Sequence, residues 1–554
     1  MAVSSTVDRS DVAATTQRMT GGDALAEMLI RNGVNTLFGL PGVQLDGLFN
    51  AFWSRQDRLR VLHTRHEQAT AYMADGYARV TGREGVCVVV PGPGLLNASA
   101  ALSTAYACNS PVLCVTGQIK SDLIDYGRGM LHEINDQLGM IQHITKSAER
   151  AMAPTEVPGV VDRAFAALRS GRMRPVEIEV PLDTLFAEDE VTLAARTSQR
   201  TFVEPDGARL EEAAAILAAA KRPLIYAGGG VLRGVAWDEL LRLAVLLQSP
   251  VIISENGKGA ISDRHYLAQS QVAWPELQPT ADAVLVVGTR FVAPDRQPRM
   301  LGANTKVIRI DIDAEEIHRD IAPDVELLGD AKAGLAALVS LLDGKVNPPS
   351  REAELTELKQ VVNQRIMNVL PQAALGMAIR NALPDDGVVV GEMTQIGYWA
   401  NFGMPFYEPN TYITPGYQGT LGFGFCTALG AKVGAPNRPV VSINGDGGFG
   451  FALNELATMA QHEIPAIIVV FNDSAYGNVK RIQQVDLGGR QIASDLRNPD
   501  YVKLAEAFGV VGRRTETAVG LQTAIEDSIK ANEPTLIEVP VGPMPNPWTA
   551  LGLR

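Results

Sequence analysis

Two acidic residues and a cluster of glycines have the types and spacing to bind a metal ion and a phosphate. Asp446 lies in the run GDGG that begins at Gly445, and Asp473 follows an asparagine further along the chain. Carboxylate oxygens are hard ligands that suit Mg²⁺, and glycines let a backbone approach a phosphate at a helix N-terminus. Asp-Gly alone is also a frequent turn. The interpretation therefore depends on whether the two acids meet in space.

The elements around these acids indicate that they do meet. Pro439–Ile443 and Pro465–Phe471 are apolar runs typical of buried strands, and Phe449–His462 has apolar residues at helical spacing. A strand–helix–strand unit of this length is right-handed and its strands are parallel. Both acids then lie at the carboxyl edge of one sheet, where open α/β sheets bind ligands. The sequence predicts a Mg²⁺-bridged phosphate or diphosphate.

The GDG motif, 24 further residues and Asn-Asp resemble the diphosphate motif of thiamine-diphosphate enzymes, which usually ends in Asn-Asn. The resemblance implies that the metal ligands are Asp446, the side chain of Asp473 and the carbonyl of Ala475. An aspartate at 473 adds a negative charge that is expected to shift Mg²⁺ affinity. The resemblance also implies a set of cofactor contacts: Gly92, Gln118, Met393, Gly419, Leu421, Gly445, Asp446, Gly447, Gly448, Asn472, Tyr476 and Gly477.

Composition describes an ordinary globular chain with an acidic balance. Its 554 residues predict about three domains, and a net charge of −13 without a basic block argues against nucleic-acid binding as a main task. No apolar run approaches the roughly 20 residues of a membrane helix. Residues 1–19 are polar and are predicted to be a disordered lead-in. Four cysteines without metal spacing favour a reducing, cytoplasmic compartment.

The first and last thirds of the chain repeat one architecture. Gly92 to Pro111 spans 19 positions and Gly445 to Pro465 spans 20, each between a strand and the next. The first copy has no acid at its glycine turn, so the metal is predicted in the last copy only. The runs PLIYAGGGV, ADAVLVVG and TKVIRIDID predict a third α/β unit between them. We predict three open parallel-sheet α/β domains, at 20–190, 191–348 and 349–554.

This layout resembles the acetolactate synthase, benzaldehyde lyase and pyruvate decarboxylase superfamily over nearly the whole chain after residue 20. The runs FGLPG, TRHEQATAYMADGYAR, ITK, GTRF and GFGFCTALGAK are closest to the first two branches. The resemblance implies a pyrimidine-binding, a central and a diphosphate-binding domain. It also implies that Glu67 and the GDG motif of one site come from different subunits, so that the minimal unit is a homodimer and a homotetramer is expected.

Glu67 is predicted to begin a helix, where an acid is favoured by the helix dipole in any case. The resemblance implies a catalytic role, in which this carboxyl exchanges a proton with the cofactor aminopyrimidine as a relayed acid/base. The cofactor then supplies a C2 ylid as nucleophile and an enamine intermediate as electron sink. Leu421 matches the apolar residue that supports the bent cofactor, and it could equally be a core residue.

Several residues match substrate-facing positions of the superfamily. Gln44 lies where benzaldehyde lyases carry a histidine, and His132 lies where both branches usually carry a glutamine. We predict catalytic roles for both, with a positioning role as the alternative for His132. The predicted substrate pocket comprises Asn478, Ile482 and Trp548, although a tryptophan is also a common core residue.

Two departures from acetolactate synthases bear on cofactor and substrate. Ile482 replaces a tryptophan that shapes the pocket for the acceptor, and GTRF continues as VAPD where those enzymes have a flavin-binding FDDR run. The second departure argues against stoichiometric FAD. Gly228–Gly230 and Arg290 could still hold the phosphate of FAD or ADP in the central domain, or that domain could be vestigial.

Taken together, the residues and the resemblance predict a thiamine-diphosphate- and Mg²⁺-dependent carbon–carbon lyase or carboligase. Its expected substrates are small 2-keto acids, 2-hydroxy ketones or aldehydes, and its closest type is an acetolactate synthase. The alternatives are a benzaldehyde lyase-type 2-hydroxy ketone lyase, a 2-keto acid decarboxylase, and a non-catalytic cofactor-binding paralogue.

Overall fold

The computed structural model describes residues 14–193, 200, 202–293 and 299–553. The chain divides into two compact units, residues 1–78 with 83–201 and residues 79–82 with 202–554. Three six-stranded sheets, each parallel throughout, form the frame of the described chain, one in the first unit and two in the second. This confirms the predicted class of three open parallel-sheet α/β domains.

The first unit has a six-stranded sheet of order β3-β2-β4-β5-β7-β6 and a separate antiparallel pair, β1 with β8. Its strands are β1 (Thr15–Thr20), β2 (Thr36–Gly39), β3 (Arg60–His63), β4 (Gly85–Val89), β5 (Val112–Gln118), β6 (Ala148–Arg150), β7 (Val176–Pro181) and β8 (Glu188–Leu193). Its helices are α1 (Gly21–Arg31), α2 (Asp46–Trp53), α3 (Glu67–Thr81), α4 (Pro93–Ala107), α5 (Gln137–Gln142), α6 (Val157–Arg169) and α7 (Leu182–Phe186).

The central sheet has the order β11-β10-β9-β12-β13-β14. Its strands are β9 (Pro223–Ala227), β10 (Val251–Ile253), β11 (Ala268–Gln269), β12 (Ala283–Val287), β13 (Lys306–Asp311) and β14 (Val325–Leu328). The accompanying helices are α8 (Gly207–Ala219), α9 (Gly229–Arg233), α10 (Trp237–Leu247), α11 (Trp274–Leu277), α12 (Ala314–Ile317) and α13 (Ala331–Leu342).

The last sheet has the order β16-β15-β17-β18-β20-β19, which repeats the strand order of the first sheet position by position. Its strands are β15 (Val388–Gly391), β16 (Tyr412–Ile413), β17 (Val440–Gly445), β18 (Ile467–Asn472), β19 (Val511–Arg514) and β20 (Thr535–Pro540). Its helices are α14 (Glu352–Met367), α15 (Gln372–Ala382), α16 (Gln395–Gly403), α17 (Phe423–Gly434), α18 (Asp446–Phe449), α19 (Leu456–Gln461), α20 (Gly477–Val485), α21 (Tyr501–Ala507), α22 (Ala518–Ala531) and α23 (Pro547–Ala550).

Two predictions of local structure are wrong in part. The disordered lead-in was expected over 1–19, but residues 15–19 belong to β1, which is held by pairing with β8 and by a 2.9 Å hydrogen bond between the hydroxyls of Thr16 and Thr192; residues 1–13 lie outside the described residues. The helix expected over Phe449–His462 is broken into α18 and α19, separated by turns and a 3₁₀ segment. Gly450, directly after α18, disfavours a continuous helix there.

None of the helices in the described ranges has both the length and the hydropathy that a bilayer crossing requires. Four strands that lie inside the sheets are buried on both faces. Every residue of β4, β5, β9 and β12 is buried, as parallel strands covered by helices require.

Candidate active site

The carboxyl ends of β17 and β18 bring the two predicted acids together. The strands are parallel with Gly445 opposite Phe471, so Asp446 and Asn472 emerge at the same level. Asp446 is 3% exposed, and its carboxyl group interacts directly with that of Asp473. The prediction that residues distant in sequence meet at one sheet edge is confirmed.

The electrostatics of this pair favour a bound cation. Burial raises the pKa of Asp446, and burial together with the charge of Asp446 raises the pKa of Asp473 to about 6. Two adjoining carboxylates repel each other, and a divalent ion between them would remove that cost. Among the described residues no cluster contains three or more metal-binding side chains. The pair therefore suits an ion that completes its shell with carbonyl, phosphate and water oxygens, as Mg²⁺ does.

Asn498 holds the two strand ends in register, and sequence reasoning missed it. Its Nδ2 donates to Asp446 Oδ2 at 2.6 Å and to Asn472 Oδ1 at 2.9 Å. Asn472 in turn donates from Nδ2 to Glu538 Oε1 at 2.8 Å, which fixes the direction of its amide. Its Oδ1 therefore also accepts the Ser474 N–H at 3.1 Å and shapes the loop after β18.

Glu392 is the second residue that sequence reasoning missed. It follows β15 directly, and its Oε1 accepts the N–H of Gly422 at 2.8 Å, while Oε2 has no hydrogen-bond partner within the described structure. Burial raises the pKa of Glu392 to about 7. A Cβ on Gly448 would lie 2.6 Å from Glu392 Oε2, so the glycine turn passes directly over this carboxyl. The strand-end argument that located Asp446 also applies to this acid.

The remaining predicted cofactor residues of this domain lie close to the same edge of the sheet. Gly419 has a left-handed φ of 58°, and a Cβ there would lie 2.9 Å from the Met393 side chain. Gly447 lies against the Tyr476 ring, where a Cβ would be 2.6 Å from Cδ1. Leu421 is half-buried and immediately precedes Gly422, the N-cap of α17. Ala475 is buried and forms a backbone bridge with Asp495, and Gly477 starts α20.

The predicted pocket residues of this domain lie on two different helices. Asn478 and Ile482 are one turn apart on α20, and Ile482 is 37% exposed. Asn478 Oδ1 accepts from the Arg481 guanidinium at 2.9 Å. Trp548 lies on α23, where its ring packs 4.3 Å from that of Tyr398 and against the hydrophobic core. The packing of Trp548 supports the core interpretation.

In the first unit, Gln44 and His132 form one hydrogen-bonded pair. Gln44 Nε2 donates to the carbonyl of Leu131 at 2.9 Å, so its Oε1 faces His132 Nδ1 at 3.1 Å. An amide oxygen can only accept, so Nδ1 carries the proton. In this tautomer Nε2 carries no proton, so Nε2 is the ring nitrogen that can accept one.

Glu67 begins α3 as predicted, and its Oε2 accepts from Asn97 Nδ2 of α4 at 3.0 Å. Gly92 is the N-cap of α4, and its N–H donates to the buried Gln137 Oε1 at 2.8 Å. Gln118 ends β5, and its side chain accepts the N–H of Ile119 at 2.7 Å. The structure thus orients Glu67 through the neighbouring helix.

The glycines of the central domain have a packing reason of their own. A Cβ on Gly230 would lie 2.6 Å from the Cα of Gly288, so the loops after β9 and β12 can pack only if residue 230 is glycine. The Arg290 guanidinium stacks over the ring of Tyr417 at 4.3 Å. The close approach of the two loops requires glycine at position 230 whether or not a nucleotide binds.

The strand-end acids, the glycine turn and the repeated sheet describe an α/β protein with a candidate site for a metal ion and a phosphate. The chain belongs to the thiamine pyrophosphate enzyme family. Family models of its N-terminal TPP binding domain, central domain and C-terminal TPP binding domain match residues 19–140, 210–338 and 392–539. The predicted superfamily is thereby confirmed.

Three full-length relatives illustrate the range of the family. A "Probable 2-ketoarginine decarboxylase" of Pseudomonas aeruginosa is 35% identical over 94% of this chain and 94% of its own. A "Probable acetolactate synthase large subunit" of Methanococcus aeolicus is 33% identical, covering 95% and 92%. The acetolactate synthase isozyme 3 large subunit of Escherichia coli is 30% identical, covering 93% of both chains. The acetolactate synthase-like branch predicted from the motifs is confirmed.

Asp473→Asn is expected to change how the stability of the metal-free protein depends on pH. The pKa of Asp473 rises on folding from 3.8 to about 6, so the folded state binds more protons than the unfolded state in this window. Wild type therefore loses stability as the pH rises through about 6, whereas asparagine has no proton to lose. At pH 8 the free energy of unfolding of the variant should be about 1 kcal/mol higher than that of wild type, after allowance for solvent screening of a partly exposed pair.

Chemical denaturation in a metal chelator at pH 5 and pH 8 measures this difference. Asp486→Asn, an exposed acid at the C-terminal end of α20, is the control and should follow wild type. An identical pH dependence for wild type and Asp473→Asn would show that the two carboxyls are not coupled.

Proposed function

We propose that the chain is a thiamine-diphosphate- and Mg²⁺-dependent carbon–carbon lyase or carboligase that acts on small 2-keto acids, 2-hydroxy ketones or aldehydes. The observation that carries this proposal is the pair Asp446 and Asp473 beside a glycine turn, at the carboxyl ends of neighbouring strands. When bound, thiamine diphosphate supplies a nucleophilic carbon and an electron sink. The family membership supports the cofactor.

The residues of the chain would divide the remaining tasks. Asp446, Asp473 and the carbonyl of Ala475 would hold Mg²⁺, and Asn498 would keep the first two strand ends in place. Glu67, oriented by Asn97, would hold and release a proton at Oε1. In the assembled protein we propose at least a homodimer, with a homotetramer as the expected form.

His132 is proposed as the proton-transferring residue on the substrate side. By resemblance, a histidine is found in benzaldehyde lyases at the position of Gln44, and a glutamine is usual at the position of His132. These two residues are hydrogen-bonded partners here, at 3.1 Å. The chain therefore keeps one histidine and one glutamine in the pair with the positions exchanged, and Nε2 of the neutral ring is the available base.

Reconstitution tests the proposed function directly. The protein freed of cofactor and metal should be inactive, and thiamine diphosphate with Mg²⁺ should restore turnover of at least one member of a panel of 2-keto acids, 2-hydroxy ketones and aldehydes. Full activity of the chelated, cofactor-free protein would refute the proposal. Binding of cofactor without turnover of any panel member would favour the non-catalytic paralogue.

A decarboxylase is the second candidate. The relative named a 2-ketoarginine decarboxylase is 35% identical over 94% of the chain. A relative named an acetolactate synthase has a similar identity, 33% over 95%, so identity alone does not choose between the two activities. The two candidates differ in whether a second carbonyl compound is required. A decarboxylase would release an aldehyde from the 2-keto acid alone, whereas a carboligase would need an acceptor.

Ile482→Trp is expected to move acceptor preference towards small 2-keto acids. Isoleucine is smaller than the indole of acetolactate synthases, and its partial exposure on α20, one turn after Asn478, leaves the wall wider and more apolar. Wild type should therefore prefer aldehydes or ketones to pyruvate, by about 1–3 kcal/mol of discrimination. The ratio of kcat/KM for an aldehyde acceptor and for pyruvate measures this preference in both proteins.

Val485→Trp provides the matched control for this prediction, because Val485 ends the same helix at 70% exposure and should leave the ratio unchanged. If wild type makes acetolactate from pyruvate far better than any aldehyde adduct, the prediction fails. A flavin-free acetolactate synthase would then be the better assignment.

A further inference from the structure

A cavity separate from the strand-end acids lies in the second unit, between the central sheet and helices α14 to α16. Its volume is about 160 Å³. Its apolar lining includes Ile253, Ile261, Val362, Ile366 and Met377. An apolar cavity of similar volume can hold benzene, so the space suits a molecule of about six to eight non-hydrogen atoms.

Lys258 places a buried positive charge in the wall of this cavity. The residue is 9% exposed, and its Nζ donates to the carbonyl of Met404 at 2.9 Å. The ammonium group also lies over the Phe406 ring, 5.5 Å from its centre. Burial lowers the pKa of Lys258, because removing an ammonium group from water is costly, and the charge of the Asp263 carboxylate offsets this only in part.

Gln269 lines the same cavity with a hydrogen-bond acceptor that has no donor within the described residues. Its Nε2 donates to the carbonyls of Tyr266 and Leu355, at 2.9 and 3.1 Å, which fixes the direction of the amide. Its Oε1 is buried without a hydrogen-bond partner within the described residues, and the side chain is 2% exposed and lines the cavity. A buried acceptor left unpaired is destabilising unless a ligand or water supplies the donor.

The charged side chains that line the cavity indicate which charge a bound ligand would carry. Of the residues that the structure describes, Lys258, Lys359 and Asp263 are the ionisable ones that line the cavity, so the lining carries a net charge of +1 when both lysines are protonated. Lys359 Nζ donates to backbone carbonyls of Asp263 and His265. The carboxylate of Asp263 accepts the Phe406 N–H at 2.8 Å. A single negative charge would neutralise this lining.

We propose that this cavity is a binding site for a small, branched aliphatic 2-hydroxy carboxylate. Its carboxylate pairs with Lys258, its hydroxyl donates to Gln269 Oε1, and its alkyl group packs against Val362, Ile366 and Met377. The unpaired Gln269 Oε1 thereby gains a donor, and the buried ammonium group of Lys258 gains a charged acceptor beside the Met404 carbonyl.

Titration calorimetry on the full-length protein with 2-hydroxy-3-methylbutanoate tests the proposal. Wild type should bind it, and 3-methylbutane-1,2-diol, which lacks the charge, should bind at least about tenfold more weakly, as expected for loss of a charge-assisted hydrogen bond. Lys258→Met should weaken binding of the acid by a similar factor, and Val362→Phe should abolish it by filling the cavity.

Lys432→Met is the matched control. Lys432 is also buried and also donates to backbone carbonyls, those of Pro436 and Arg438, but it does not line the cavity, so binding should be unchanged. Thermal unfolding verifies that each variant is folded. The proposal is overturned if wild type does not bind the acid, as a water-filled cavity would predict. It is equally overturned if Lys258→Met binds like wild type, which would assign the binding to another site, or if the acid and the diol bind equally.

Discussion

Asp446→Ala is expected to abolish retention of thiamine diphosphate and Mg²⁺, and turnover with it. The substitution deletes one of two adjoining carboxylates, and it also leaves the Asn498 amide without the acceptor that it contacts at 2.6 Å. Removing a group that merely orients a metal ligand typically weakens metal binding by 10–100-fold. Loss of a proposed ligand should therefore weaken cofactor affinity by at least about 100-fold.

Calorimetric titration of the metal- and cofactor-free protein measures this affinity. Asp486→Ala, an exposed acid at the end of α20, is the control and should bind like wild type. Circular dichroism of Asp446→Ala should match wild type, because relief of the repulsion between two carboxyls offsets the lost hydrogen bond. A folded Asp446→Ala protein that binds the cofactor with wild-type affinity would refute the proposed metal site.

Glu67→Gln is expected to separate cofactor binding from catalysis. Glutamine has the same shape, and its Oε1 can still accept from Asn97 Nδ2, but the amide cannot pass a proton. The variant should therefore retain cofactor while kcat falls by about 10²–10⁴-fold, the usual contribution of a positioned acid or base. Turnover at the wild-type rate would exclude a proton relay through this residue.

Asn97→Ala is the matched comparison for Glu67→Gln. It removes the hydrogen bond that orients the carboxyl but keeps the carboxyl itself, so kcat should fall less than in Glu67→Gln. An equal loss in both variants would mean that the hydrogen bond, and not the proton, is what the site requires. Comparison of Glu67→Gln and Asn97→Ala with Asp446→Ala distinguishes a loss of cofactor binding from a loss of the chemical step.

The sequence by itself determined the residues whose positions follow from periodicity and strand direction. The strand runs predicted to end at Ile443 and Phe471 must terminate at one edge because the strands of a strand–helix–strand unit are parallel, so the meeting of Asp446 with Asp473 could be predicted. The shared architecture of the first and last domains could likewise be anticipated from the similar spacing between their glycine turns and the following strands, whereas the identical order of their six strands came from the structure. Local signals were sufficient because each concerns neighbours in a single βαβ unit.

Only the tertiary structure decided the contacts between segments that are distant along the chain. Asn498 is 52 residues from Asp446 and Gln44 is 88 residues from His132, and no periodicity relates the members of either pair. The pairing of β1 with β8 is of the same kind, and so is the cavity at Lys258, whose walls come from separate stretches of the second unit. Side-chain direction and burial set these contacts, and both depend on the packing of whole elements, which a local pattern of residues does not encode.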